Sequence, residues 1–260
     1  MQAWYMSGAG NDFMVIDARG KELNFSAMAL ELCKLAGCDG FMAVDHSDKA
    51  DFRLHFYNSD GSRGEMCGNG SRCVSRFAFD NGIAPENMTI ETDAGIIDSL
   101  RLSENRYRVK LNNPGILDLH RKPDAAYVEL GSPGVPHAVA EVPDLEHDQR
   151  EALLDYARGL RHDPAFPKGA NVNFYQVLGE DEVRVLTFER GVEDFTLACG
   201  TGTGSVASVL WKKGLLKGNV LTAHNPGGTL RVTIGEEKGQ ITSIQLEGPT
   251  EVVKIYDITL

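Results

Sequence analysis

Apolar and polar positions change places along this chain with two periods. Short runs that alternate, or that are apolar almost throughout, predict β-strands. They are "FMVID", "FRLHFY", "MTIET" and "YRVKL", followed by "AYVEL", "NVNFYQVL", "VRVLTF", "TLRVTI" and "ITSIQLEG". Helical spacing is rarer. It marks "SAMALELCKLAG", with Ser26 as N-cap and Gly37 at C′, then "DQREALLDYARG" and the stretches that follow Cys67 and Cys199. Gly82 and Gly214 each fall 15 positions after one of those cysteines. Both suit a C′ glycine closing a helix of about four turns.

The pattern repeats itself. Cys67-Gly68-x-Gly70 in "MCGNGSRC" matches Cys199-Gly200-x-Gly202 in "LACGTGTG" at an offset of 132 residues. At the same offset Leu54 maps onto Leu186, Phe56 onto Phe188, Asn58 onto Arg190, Asn87 onto Asn219 and Gly95 onto Gly227. The series points to an internal duplication. The expected fold is α/β, with two similar pseudo-symmetric domains, each a strand-rich curved sheet or barrel wrapped around a central helix. Pro-rich "NNPGILDLHRKPD" and "GSPGVPH" place the crossing between halves near residue 113. The expected domains are therefore 1–112 with a return over 250–260, carrying Cys67, and 113–249, carrying Cys199.

At 260 residues the chain can bury a sizeable core, and its 42% hydrophobic and 24% charged content are ordinary for a globular protein. The net charge of −11 argues against a nucleic-acid or anionic-membrane partner. No apolar run approaches the roughly 18 residues of a bilayer span. The opening "MQAWYMSGAGNDF" lacks a signal peptide's layout, so the cytoplasm is the expected location. Cys33, Cys38, Cys67, Cys73 and Cys199 make an odd set without a C-x-x-C pair, which points to free thiols and to no metal. Free cysteines commonly fill small buried sites, and Cys33, Cys38 and Cys73 are read that way.

Cys67 and Cys199 read differently, because duplication kept each cysteine together with its glycines. Each stands where a helix begins, and exposed N–H groups and the helix dipole there favour a thiolate. A phosphate cradle is the competing use of a helix N-terminus, but neither run ends as a P-loop does, and "CGTGTGS" does not fit G-x-G-x-x-G. Two like acid/base groups facing one another suit inversion of a carbon centre: one removes the hydrogen from one face while the other protonates the opposite face. One sulfur must be thiolate while the other is thiol, so the pair titrates as a unit. With each sulfur about 3–3.5 Å from the reacting carbon, the two would stand roughly 7 Å apart.

These residues resemble the diaminopimelate epimerase family. The resemblance runs from "GAGNDF" through "NSDGS", "MCGNGSRC", "NVNF", "FERGVED" and "LACGTGTG" to a late "EGP". It implies two domains with the active site in the interdomain cleft, usually as a homodimer, acting on a small amino-acid substrate without a cofactor. It also implies that Cys67 and Cys199 are the acid/base pair, with His137 and Glu189 tuning the two thiols. Gly68, Asn69, Gly200 and Thr201 would offer backbone N–H groups to the substrate carboxylate. Asn11, Asn58, Asn171, Glu189 and Arg190 would hold the substrate, including its distal end.

Taken singly, Asn11 and Asn58 read as turn formers, Glu189-Arg190 as an exposed charged turn, His137 as a structural side chain and Asn171 as a partner of local backbone. Two positions depart from the family. Val135 stands in "GVPH" where asparagine is usual, and Gly40 where some members carry glutamine. Val135 removes one expected substrate hydrogen bond, worth about 0.5–1.5 kcal/mol. Two other functions stay open: a cofactor-independent racemase of another amino acid, of histidine or proline type, and a non-catalytic binder of small anions.

Overall fold

The structure, a computed structural model, describes residues 1–64, 67–132 and 134–258. Met66 of "MCGNGSRC", Pro133 of "GSPGVPH" and the last two positions of the expected 250–260 return lie outside the described residues. The chain divides into two units, Met1–Lys110 with Glu247–Leu260, and Leu111–Leu246.

In chain order the first stretch carries β1 (Gln2–Ser7), β2 (Asp12–Asp17), α1 (Phe25–Ala36), β3 (Gly40–Asp45), β4 (Phe52–Asn58), β5 (Arg63–Gly64), α2 (Gly68–Asp80), β6 (Asn87–Thr92), β7 (Gly95–Ser103) and β8 (Arg106–Leu111). Then follow β9 (Pro114–Asp118), β10 (Ala126–Gly131), β11 (Gly134–Glu141), α3 (Arg150–Arg161), β12 (Asn171–Gly179), β13 (Glu182–Glu189), β14 (Asp194–Thr196), α4 (Gly200–Lys212), β15 (Val220–Asn225), β16 (Gly228–Glu237) and β17 (Gln240–Pro249). The chain ends with β18 (Glu251–Asp257), which pairs antiparallel with β1 inside the first unit.

The two units share one pairing scheme. In the first, β1–β2 is antiparallel and β2–β3 parallel, the crossover being α1; β3–β4 and β4–β5 are antiparallel, and β4–β6 is parallel across α2 before the β6–β7 hairpin. In the second, β10–β11, β11–β12 across α3, β12–β13, β13–β14, β13–β15 across α4, and β15–β16 follow with the same directions. Parallel neighbours cannot be joined by a tight turn, so each unit needs a helix at two places.

Helices α2 and α4 are the buried ones. Residues Gly68–Ser75 are buried without interruption, as are Gly202–Leu210. Neither helix is strongly apolar, and both carry many small hydroxyl residues. Most of those hydroxyls bond back to the preceding turn: Ser75 donates to Ser71 O at 2.7 Å, Thr203 to Cys199 O at 2.9 Å and Ser208 to Gly204 O at 2.8 Å, while Ser71 Oγ is buried without a partner. Aromatic side chains fill the remaining space, with Trp4 edge-on to Phe77 at 5.2 Å and Phe188 edge-on to Phe195 at 5.4 Å.

Both helices close as the glycine spacing predicts. Gly82 has φ 65 and Gly214 φ 70. The N–H groups of Gly82 and Ile83 reach Phe79 O and Ala78 O, and those of Gly214 and Leu215 reach Trp211 O and Leu210 O. This is the double bond pattern of a Schellman motif in each unit.

Two details differ from expectation. Asn24, not Ser26, caps α1, its side chain accepting from the Ala27 N–H; Ser26 lies in the first turn and donates to Gly61 O. Asparagine two residues upstream reaches the first-turn amides, while the serine hydroxyl finds a carbonyl from a neighbouring loop. The repeat also slips by one residue after α4. The hairpins close at Thr92–Gly95 and Asn225–Gly228, so Gly95 corresponds to Gly228 rather than Gly227, and the strand starting at Asn87 corresponds to one starting at Val220. The extra residue falls between Leu215 and Val220, beyond the helix cap.

A methyl group added at Gly82 or Gly214 would touch nothing within 4 Å, so only backbone strain opposes it. Gly82→Ala and Gly214→Ala are each expected to lower unfolding free energy by about 1 kcal/mol, read as a shifted urea midpoint with unchanged slope. An unshifted midpoint would remove these caps from the account of how the helices end.

Candidate active site

Cys67 and Cys199 are the N-cap residues of the two buried helices. Their backbones are extended, at φ −133, ψ 119 and φ −115, ψ 112. Each sulfur accepts the N–H three residues on, from Gly70 at 3.5 Å and from Gly202 at 3.3 Å. Sulfur therefore takes the place that a serine or aspartate oxygen usually fills. Gly70 and Gly202 are glycine for space rather than for φ. A Cβ at Gly70 would run into the Met42 side chain, and one at Gly202 into Asn173 Oδ1.

In the first unit the Cys67 S–H lies 3.5 Å from Asn11 Oδ1. Asn11 in turn donates through Nδ2 to Asp39 Oδ2 at 2.7 Å, and the same oxygen accepts the Asp12 N–H at 2.8 Å. Asp39 thus clamps the β1–β2 turn, where Ala9 and Gly10 sit at φ 60 and φ 78. Asn58 stands at the exposed end of β4, opposite Gly40, with its Nδ2 on Ser62 Oγ at 2.9 Å. Its neighbour Ser59 donates to Asp39 O at 3.1 Å, so Asp39 lies between Asn11 and Asn58. Gly68 and Asn69 occupy the first turn of α2, where N–H groups point out of the helix end.

Arg72 lies beneath that turn and is 0% exposed. It donates to Gly68 O at 3.3 Å and Asn69 Oδ1 at 3.0 Å, while its Nε is buried without a partner. Burial lowers its pKa to about 10, partly offset by attraction to Cys73 and Cys67, so it remains a cation at neutral pH. Cys73, fully buried, is pushed up to about 12 by loss of solvent and stays a thiol.

The second unit surrounds Cys199 with polar groups. Thr201 Oγ1 lies 3.5 Å from its sulfur. Glu189, at the end of β13, accepts the Thr196 hydroxyl at 2.6 Å. Asn171 donates to Pro136 O at 3.2 Å and accepts the Arg190 N–H at 2.8 Å, and the Arg190 guanidinium reaches Lys168 O at 2.9 Å. Gly200 and Thr201 form the first turn of α4.

His137 is buried on β11, directly beside Asn171 in the parallel pairing with β12. Asn173 fixes its tautomer. Thr187 donates to Asn173 Oδ1 at 3.1 Å, which turns the Asn173 Nδ2 towards His137 Nδ1, also at 3.1 Å. Nδ1 is then an acceptor and Nε2 carries the hydrogen, buried and without a partner. Burial, reinforced by the Arg190 charge, lowers the His137 pKa to about 3. The ring is neutral at physiological pH.

Asp39, Arg72, Asn173 and Thr187 were not singled out by the sequence reading. Asn173 was visible as the second asparagine of "NVNF", two positions on along the strand and so on the same face as Asn171. Arg72 was visible as a charge next to Cys73, a residue read as buried. Val135 is 41% exposed on β11, and Gly40 is buried at the start of β3. Among the described residues no group of three or more His, Cys, Asp or Glu side chains could hold a metal ion, and no helix is long and apolar enough to cross a membrane.

The model of the diaminopimelate epimerase family matches residues 3–114 and 130–253, which include both cysteine turns. The chain is 37% identical to a diaminopimelate epimerase of Aquifex aeolicus, over 93% of this chain and 92% of that one. It is 35% identical to the enzyme of that name from Chlorobaculum tepidum, over 98% and 100%. Among solved structures it resembles a Bacillus anthracis phenazine biosynthesis protein of the PhzF family, with TM-score 0.72 at 15% identity, covering 100% of this chain and 99% of that one. It also resembles a probable proline racemase from Agrobacterium radiobacter K84, with TM-score 0.71 at 16% identity, covering 100% and 93%. At such identities the solved structures establish the strand-rich α/β fold, while the family model and the sequence relatives show that this chain belongs to the diaminopimelate epimerase family.

Proposed function

We propose that this chain interconverts LL- and meso-2,6-diaminopimelate by proton transfer at one α-carbon, with Cys67 and Cys199 as the two acid/base groups. The observation that carries the reading is that two units of one topology each place a cysteine sulfur as N-cap of a buried helix. One sulfur, as thiolate, takes the α-proton; the other, as thiol, delivers a proton to the opposite face, and the reverse reaction exchanges their tasks. The N–H groups of Gly68, Asn69, Gly200 and Thr201 stabilise negative charge that builds on the substrate carboxylate. Asn11, Asn58, Asn171, Glu189 and Arg190 bind the substrate's polar groups, Arg190 pairing with a carboxylate and Glu189 with an ammonium. His137 and Glu189 tune the thiols.

The buried Nε2–H of His137 supports this reading. A buried donor without an acceptor costs about 1–3 kcal/mol, and a site that awaits an anionic ligand is where such a cost is retained. The enzyme works as a cytoplasmic homodimer, supplying lysine and peptidoglycan precursors. Val135 supports a second reading, a racemase of another amino acid. Its exposed isopropyl group can neither donate nor accept a hydrogen bond where the family pattern has asparagine.

Incubation of LL-diaminopimelate with the protein in D2O is expected to give the meso form carrying one α-deuterium. Cys67→Ser and Cys199→Ser should each lower turnover by at least about 100-fold with substrate still bound. Uptake of deuterium into histidine or proline, with none into diaminopimelate, would transfer the assignment to the second reading.

Arg72 supplies a positive charge beneath the Cys67 turn. Arg72→Met is expected to raise the midpoint of Cys67 alkylation against pH by about one unit, and Arg72→Lys to raise it less. Equal midpoints in all three proteins would assign Arg72 to packing alone.

Stability should report His137. Its folded pKa of about 3 lies below the ordinary value of 6.5, so between these pH values the unfolded chain binds one more proton. His137 therefore destabilises the fold as pH falls below about 6.5, with a slope of up to about 1.4 kcal/mol per pH unit, and does not do so above it. His137→Asn should flatten that limb in urea titrations at successive pH values; an unchanged slope would mean that the ring is protonated in the folded state.

A further inference from the structure

Outside the N-cap pair, two more cysteines meet at the end of α1. Gly37 takes φ 69, and both the Gly37 and Cys38 N–H groups return to Cys33 O, at 2.7 and 3.2 Å. A left-handed glycine after a helix folds the next residue back over the last turn, and the two side chains brought together there are usually apolar. Here both are cysteine. Cys33 and Cys38 are 3% and 6% exposed, and their thiols are hydrogen-bonded to one another, with Cys33 as the donor. The Cys38 S–H in turn donates to Gly40 O at 3.4 Å. The buried pair is flanked in sequence by exposed Lys34, Leu35, Gly37 and Asp39.

We propose that Cys33 and Cys38 form a second redox-active dithiol, which a small hydroperoxide oxidises to a disulfide. The geometry is favourable because the helix cap already holds the two backbones within hydrogen-bond reach. A disulfide asks for Cα atoms about 4.4–6.8 Å apart, and opposed side chains at a cap of this kind need little movement to meet that. Hydrogen bonding orders the steps. The bond from Cys33 favours charge on the Cys38 sulfur, whose own S–H points at Gly40 O, whereas the donor role and burial hold the Cys33 proton in place. Cys38 gives up its proton and its thiolate attacks one oxygen of the peroxide; the O–O bond breaks, a sulfenic acid forms, and the departing hydroxide or alkoxide takes up that proton to leave as water or an alcohol. Cys33 sulfur then attacks the sulfenic sulfur, its proton leaving with the displaced hydroxide as water. The two thiols lose two electrons, and one peroxide is reduced by two.

This goes beyond the epimerase reading and holds whatever the substrate is. It also differs from oxidation between Cys67 and Cys199 in a way that mass spectrometry resolves. Trypsin cuts after Lys21, Lys34 and Lys49, so Cys33 and Cys38 fall in separate peptides, residues 22–34 and 35–49. The wild-type protein would be treated with stepwise equivalents of hydrogen peroxide, alkylated under denaturing conditions and digested without reductant. The expected product is peptide 22–34 joined to 35–49, two hydrogens lighter than their sum and released by dithiothreitol. Phenylarsine oxide, which bridges neighbouring thiols with loss of water, should protect both cysteines from alkylation in a Cys67→Ser/Cys199→Ser protein. Recovery of Cys33 and Cys38 as separately alkylated peptides after peroxide has linked Cys67 to Cys199 would overturn the proposal. So would sulfinic acid on Cys38 with Cys33 left free.

Discussion

Enclosing an entire helix removes water from its first turn, and the N–H groups there must find acceptors in the protein or in a ligand. Much of this structure follows from meeting that demand twice. Cys67 and Cys199 meet part of it through sulfur, a weak and polarisable acceptor that leaves the helix end receptive to an anion. The glycines at the third helical position exist because neighbouring strands come close enough to exclude a methyl group. The hydroxyls of Ser75, Thr203 and Ser208 bond to their own helix, and Ser75 also meets the Ser99 hydroxyl of β7, so these polar residues are buried with their hydrogens placed. A cysteine sulfur at each helix start is therefore part of how the helix is capped.

The duplicated scaffold does not give the two cysteines identical surroundings. Phe13 pairs with Gly40, and two residues on Met42 packs at Gly70; in the second unit His137 pairs with Asn171, and two residues on Asn173 packs at Gly202. Corresponding strand positions thus present an aromatic ring and a thioether under one helix start and an imidazole and an amide under the other. The charge near Cys67 comes instead from within its own helix, from Arg72. Two helix starts of one topology thus have unlike neighbours.

These supports cost stability. A guanidinium 0% exposed and an imidazole Nε2 without a partner are groups that packing alone would replace by apolar ones. They lie next to the first turn of α2 and behind the Asn171 pairing, not scattered through the aromatic core.

The sequence by itself determined the strand-rich α/β class, the two helices that start at Cys67 and Cys199, their closure at Gly82 and Gly214, and the duplication. Period, glycine punctuation and repeat spacing are local signals, carried by residues a few positions apart. It did not reveal β1, β3, β7 or β11 as clearly, because strands buried on both faces, such as β3, lose their alternation. Nor did it separate Asn24 from Ser26 as a cap, or detect the residue added before Val220. Only the tertiary structure decided that Asp39 holds Asn11 against Cys67, that Thr187 turns Asn173 towards His137, that Arg72 is buried, and that Cys33 faces Cys38. Hydrophobic pattern reports which face of an element is covered. It does not report which polar atom from a distant segment, 14 or 36 residues away in the Asn173 network, arrives to bond there.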